Sequence, residues 1–367
     1  MTTAGHRHTL VTETLNALIQ KMTQQTDLRP EPWALHLLGF ITPLLVITGN
    51  LLGGAYTVMG VVFVWFVGPV LDIIMGESRN PRPVRESGLS FKVMLWLHGL
   101  MHLLVLASFF RFAYLEASLS FWLLTAVLST GLSAAASAIV TAHEMGHRKP
   151  KSLTHKWAHL IMFSVNYSHF TTEHNHNHHK WVATEHDPAS AQQEEGLWSF
   201  WARTIPGQFV SSVRVNARKG RTGLRNPSYQ WLAAQFAAFL YFFSLPHGHI
   251  MAIGWLGLSG IAILTLEYVN YIRHWGLRRG RDERQTEMHS WNTEARWSRW
   301  SLLELTRHSG HHLRASTPFW QLRPHPAAPE LPGGYYACWW PCLIPPIWKR
   351  WAGKRIPANA LREQTSN

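Results

Sequence analysis

Nine of the chain's 23 histidines fall into three dense clusters and one isolated position, each just beyond an apolar stretch. The clusters are His143-Glu144-Met145-Gly146-His147, then His174, His178 and His179 within the run from Glu173, and His308-Ser309-Gly310-His311-His312. The isolated member is His274, at the end of a long apolar run. Spacings of three and four bring ring nitrogens to one side of a helix, and neutral imidazole is the commonest protein metal ligand. A single zinc site uses only about four ligands, so nine imidazoles read as a two-metal site. His176, two residues from His174, points away on helical spacing and is left out of the set.

Five apolar runs approach or exceed the ~20 residues that a spanning helix needs: 33–52, 55–75, 93–113, 119–142 and 250–272. A sixth, 231–246, is short but apolar and aromatic. The mean hydropathy of -0.08 hides this segregation. The pattern predicts an all-α membrane protein: six transmembrane helices, both termini on one side, and a cytoplasmic histidine-rich cap. The turns near 50–55, 114–118 and 245–249 contain no Lys or Arg, whereas 33 of the 34 basic residues fall on the other side or at helix ends facing it. The positive-inside rule makes that side the cytoplasm, and all four histidine groups lie there. That rule also accounts for the net charge of +13, leaving no nucleic-acid partner to invoke.

The chain reads as a single membrane domain over 1–367. Its parts are a cytoplasmic arm (1–31), four helices (33–142), histidine clusters on a cytoplasmic extension (143–230), two helices (231–272) and a tail (273–367). The arm is polar and shows no cleavable-signal pattern. The fourth helix is expected to run past Ala142 into the first cluster. The apolar stretch 157–168 is too short to span and is expected at the membrane surface, as is the Trp-rich 335–349, which Pro341, Pro345 and Pro346 exclude as a seventh span. Cys338 and Cys342 are expected to be reduced interfacial residues there.

Glu144, Glu173, Asp187 and Glu267 lie beside ligand candidates, where carboxylates would orient imidazoles and offset metal charge. Glu267 is the one hardest to read as a surface ion pair, because it sits inside an apolar helix. His98 and His102 share a face of the third run, deep enough to be a hydrogen-bonded structural pair. His169, His186 and His289 read as residues near the site, not as ligands. The first cluster also matches the zinc-protease pattern H-E-x-x-H, but that reading leaves seven clustered histidines without a role.

The combination of motifs resembles the membrane alkane hydroxylases, the non-haem diiron alkane 1-monooxygenase type within the membrane desaturase–hydroxylase superfamily. The resemblance rests on His143-Glu144-x-x-His147 and on Glu173-His174-x-x-x-His178-His179 running on to Asp187-Pro188-Ala189-Ser190. It continues through Asn270-Tyr271-x-x-His274-x-Gly276-Leu277, His289-Ser290-Trp291-Asn292 and Arg307-His308-Ser309-x-His311-His312. It implies nine iron ligands, His143, His147, His174, His178, His179, His274, His308, His311 and His312, with Glu144, Glu173, Asp187, Glu267 and Asn270 around them. Imidazole spacing alone suits zinc as well as iron; the resemblance supplies the iron. It also implies a bacterial inner-membrane monooxygenase in which two iron ions and O2 hydroxylate a terminal or benzylic methyl of a hydrophobic small molecule, foremost an alkane to a 1-alkanol. Electrons would come from rubredoxin, or a ferredoxin-like donor, with an NADH-dependent reductase.

Three residues depart from the family pattern: Arg273 where Glu is usual, Trp275 where Tyr is usual, and Gly310 where Asp is usual. A position that limits substrate length in relatives maps to Val64 or Trp65, depending on the local match. Arg278, Arg279, Arg281, Arg314 and Lys349 suit an acidic redox protein or, equally, the anionic headgroups of membrane lipid. A lipid desaturase, or a fatty-acyl or alkyl-aromatic hydroxylase, is the alternative within oxygen chemistry. A metal transporter is the remote alternative, disfavoured because Asp72, His98, His102, Arg111 and Glu267 are scattered over separate helices.

Overall fold

The computed structural model describes residues 30–79 and 87–358. Most of the polar arm and part of the loop 76–92 therefore lie outside the described residues. Among the described residues every regular element is helical, apart from the isolated bridges Glu77–Ala295 and Asn292–Glu330.

Five helices have the length and apolarity to cross a membrane: α1 (Trp33–Leu52), α2 (Gly54–Ile74), α3 (Leu89–Glu116), α4 (Phe121–Gly146) and α9 (Gly248–His274). These match five of the six runs read from the sequence. The sixth falls on α8 (Pro227–Ser244), an 18-residue helix that turns into α9 at Leu245–His247. It carries Gln230 and Gln235 and is not among the span-grade helices. Between α4 and α8 lie α5 (Leu153–Ser164), the helical stretch α6 (170–181) and the 22-residue α7 (Leu197–Arg218). Beyond α9 come α10 (Arg296–Ser301), α11 (His308–Leu313), α12 (Trp339–Leu343) and α13 (Pro345–Ala352).

The central helix is α4, with 83% of its apolar window buried, against 28% for α2 at the periphery. It packs tightly along α9, where a Cβ at Gly131 would meet the Leu258 carbonyl at 2.6 Å. Small residues let apolar helices approach this closely. Polar side chains inside the bundle are matched across helices: Asn50 Nδ2 donates to Ser108 and Thr130, and Thr57 pairs with Thr125. Such pairing is required where no water competes.

The extension after the second histidine cluster folds onto the core through α7, which buries a polar face of Thr204, Gln208, Ser211 and Ser212 there. One expectation is corrected. The Trp-rich 335–349 does not simply lie on the surface. It buries Tyr335, Tyr336, Trp339, Cys338 and Cys342 while exposing Trp340, Ile344 and Ile347. Its position is fixed by Asp72 at the end of α2, whose carboxylate accepts from the Ser298, Tyr336 and Ala337 backbone N–H groups.

An ion network locks the turn that precedes the third histidine cluster. Glu304 receives Arg299 Nε at 2.9 Å and faces His36 Nε2 at 3.0 Å. Arg307 binds Glu294 at 2.8 Å, and Arg299 also reaches Glu31 at 2.6 Å. Burial alone would raise the Glu304 carboxyl, but the Arg307 and Arg299 guanidiniums override it and hold it well below the usual carboxylate range. Leu303 and Glu304 adopt left-handed backbone, φ 51° and 56°, a conformation that costs roughly 1–2 kcal/mol for each non-glycine residue.

Candidate metal centre

The last turn of α4 delivers His143 and His147 on one face, with ring centroids 5.0 Å apart. In α6 the backbone widens into a π-turn over His174–His178. A π-turn pairs residues five apart, and this one brings His179 Nε2 to 3.1 Å from His174 Nε2. His176 is exposed, as its spacing predicts. His274 ends α9, and α11 supplies His308, His311 and His312.

The nine rings form two adjoining groups. In one, nitrogens of His143, His147, His174 and His311 lie within 4.8 Å of one another; in the other, those of His178, His274, His308 and His312 do. His179 joins the first, its Nε2 3.1 Å from His311 Nε2. It also stands between the groups, with its ring 4.5 Å from that of His312. Both groups consist of imidazoles alone.

These residues fit metal ions on their own geometry. His308 Nε2 lies 3.1 Å from His274 Nε2 and 2.9 Å from His312 Nε2. Two nitrogens bound at about 2.1 Å to one ion and at right angles would be about 3 Å apart. His143, His147 and His178 each keep a buried Nε2 without a hydrogen-bond partner, at a cost that a metal bond would remove. Burial holds His147 down at about 3, and it holds His174, His179, His308, His311 and His312 well below the usual histidine range. These rings are therefore neutral and carry free lone pairs at physiological pH. The donor set, all borderline nitrogen, suits a non-haem iron centre.

Around the rings, the carboxylates sort differently from expectation. Asp187 Oδ2 accepts from His178 Nδ1 at 2.9 Å, and is itself held by Ser190 Oγ at 2.6 Å. Burial opposes a charge on His178, but Asp187 outweighs it and raises the pair's affinity for the proton on the histidine. The second outer partner is a backbone group, the His289 carbonyl, 3.3 Å from His274 Nδ1. Glu173 pairs with Asn177 and Ser211, and burial pushes its carboxyl up. Glu144 pairs with Arg148. Glu267 is satisfied by Tyr167, Thr204, Gln208 and Asn270. His98 and His102 bond Ser137 and Ser164 on neighbouring elements, not each other.

Against the first group lies a cavity lined by α2, α4, α6, α9 and the 302–339 region. His143 and His174 form part of its wall, and the rest is overwhelmingly apolar. Val64 and Trp65 both line it, from a second π-turn over Phe63–Val67, and a third, over Ala134–Ile139, supplies Ala135 and Ala136. Sequence reasoning missed Arg273 as part of this wall, and missed Tyr335, Tyr336 and Trp339. The clue for Arg273 was a basic residue next to a ligand candidate at the end of an apolar helix. The others had no local signal, because Asp72 positions them from a distance.

An all-helical, membrane-spanning chain that gathers nine imidazoles beneath an apolar cavity belongs to the class of integral-membrane proteins fitted for a non-haem iron centre. Comparison with known proteins narrows it. The fatty acid desaturase family matches residues 117–341, and the chain belongs to that family. It is 32% identical to alkane 1-monooxygenase 1 of Pseudomonas aeruginosa, over 83% of this chain and 84% of that one. It is 37% identical to the alkane 1-monooxygenase of Acinetobacter baylyi over 60% of this chain, a match that spans 56% of that relative's length. The xylene/toluene monooxygenase hydroxylase component of Pseudomonas putida is 28% identical, over 76% of this chain and 77% of that one.

Proposed function

We propose that the chain is a diiron monooxygenase of the bacterial inner membrane that uses O2 to convert an alkane to a 1-alkanol. In this reading α8 is a sixth span and the whole chain forms one membrane domain, with both termini and the histidine cap on the cytoplasmic side. The nine imidazoles hold two iron ions, which supply the O2 activation. Asp187 and the His289 carbonyl fix the tautomers and orientation of His178 and His274. Val64, Trp65, Leu132 and Ile139 hold the hydrocarbon and keep water from the reacting end. An apolar substrate reaches that cavity from the bilayer, while a soluble donor delivers electrons from the opposite face.

The observation that carries the reading is the shared wall: His143 and His174 belong both to the imidazole groups and to the apolar cavity. The donor is proposed to be rubredoxin, or a ferredoxin-like equivalent, with an NADH-dependent reductase. Arg281 and Arg314 are exposed and available to steer it. Arg279 is not, because it is buried and spends its guanidinium on the Val182, Lys180 and Glu283 carbonyls.

The test is to purify the protein, measure its metal content, and feed whole cells a mixed panel of alkanes and alkylbenzenes with chromatographic analysis of products. Two irons per chain and a 1-alkanol are expected. A benzylic alcohol alone would move the substrate to alkylbenzenes, and a new double bond or a lone zinc would end the proposal. Val64→Phe should shift the products toward shorter chains, since each methylene that no longer fits costs about 1–3 kcal/mol of discrimination.

A further inference from the structure

Among the described residues, Arg273 is the one Lys or Arg side chain in the wall of the apolar cavity. It is 2% exposed. Its Nε donates to the Tyr335 hydroxyl at 3.0 Å, and the guanidinium stacks 5.4 Å from the centre of the same ring. Its Nη2 is buried with no hydrogen-bond partner among the described residues, and no carboxylate pairs with it there. Several neutral polar groups of the wall are engaged internally: Thr265 with the Ile261 carbonyl, Tyr268 with the Tyr335 carbonyl, and Asn270 with Glu267. The indole N–H groups of Trp65 and Trp339 also lack partners there, but they carry no charge to be offset.

A buried guanidinium without a counter-charge is costly, and here it stands beside imidazoles fitted for further positive charge. His143 and His174 share its cavity, and Arg273 directly precedes His274 at the end of α9, so the guanidinium belongs to the part of the wall nearest the cage. The group that best satisfies a planar fork of N–H donors is a carboxylate. An apolar cavity ending in such a fork suits a molecule with an alkyl body and a terminal carboxylate.

We propose that Arg273 makes the metal end of the cavity a carboxylate subsite, so that a saturated fatty acid binds there head-first. Such a chain occupies the room that a hydrocarbon would occupy, with its carboxylate where the hydrocarbon's terminal methyl would lie. A fatty acid is thus a competing ligand of this site, and its accumulation restrains the enzyme. Only the competition rests on the function proposed above; the binding stands without turnover.

The experiment measures binding of octanoate, methyl octanoate and 1-octanol to the detergent-purified, metal-loaded protein by isothermal titration. Wild type should bind octanoate at least about tenfold more tightly than the methyl ester. Arg273→Gln should abolish that preference while changing 1-octanol affinity by less than about threefold, and Arg273→Lys should keep part of it. Equal affinity for acid and ester in the wild type overturns the proposal, whether or not any variant folds. A preference that survives in Arg273→Gln also overturns it, because the metals alone would then be holding the carboxylate. In a turnover assay with octane, octanoate should inhibit competitively. Failure to oxidise octane would sink the proposed function while leaving the binding result standing.

Discussion

Histidine is buried in two regions of this molecule, and the two use it differently. Within the bundle, His98 and His102 each meet a serine hydroxyl, at 2.7 and 2.8 Å. In the cap, rings from α4, α6, α9 and α11 turn their nitrogens toward one another, at separations down to 2.9 Å. The contrast teaches that burial and helical spacing do not make a ligand. His98 and His102 have the same i, i+4 spacing as His143 and His147, yet only the latter meet imidazole rings from other helices; His98 stacks on Phe40 of α1 instead.

That contrast can be broken by substitution. His308→Ala removes a ring that approaches both His274 and His312, and should strip metal from the second group and lower product formation by more than about a hundredfold. Metal analysis beside product yield reads both, and full metal retention would dissolve the two-group picture. His274→Ala should behave alike.

Next in size is the cap's ion network. Glu304→Gln should cost about 3–5 kcal/mol, because it leaves Arg299 with too little counter-charge in a buried site. Since the folded carboxyl lies well below its unfolded value, its contribution is complete above the ordinary carboxylate range and is lost as pH falls through the lower, folded value. Melting temperature should therefore decline on acidification, and the decline should be shallower in Glu304→Gln.

Asp187→Asn should weaken metal retention about 10–100-fold while leaving the fold in place, as chelator competition would measure. The smallest effect belongs to the other side of the contrast. His98→Leu should leave metal content unchanged and cost about 1–3 kcal/mol for the unpaired Ser137. Loss of metal in that variant would erase the distinction between the regions.

Much of this was legible along the chain. Five spans follow from apolar length, and the nine clustered histidines follow from number and spacing. His176, set aside on periodicity, is exposed in the structure. Other features were not legible, because they depend on backbone irregularity or long-range contact. The π-turn that sets His179 against His174 leaves no mark in the spacing, which would place residues five apart on diverging faces. The sorting of the carboxylates was equally hidden: Glu144 and Asp187 both neighbour ligand candidates in sequence, but Arg148 claims one and His178 the other.

The sequence by itself determined that apolar helices would carry histidines to one end of a membrane bundle, since apolar length and imidazole clustering are local properties of the chain. Only the tertiary structure decided how the rings divide into two groups, which wall of the cavity they share, and that Arg273 joins that wall. Those outcomes depend on which helices pack together and on the Asp72 tether that folds the 335–339 segment under them. Neither is encoded in any local pattern, because convergence of side chains from four separate segments is a property of their packing.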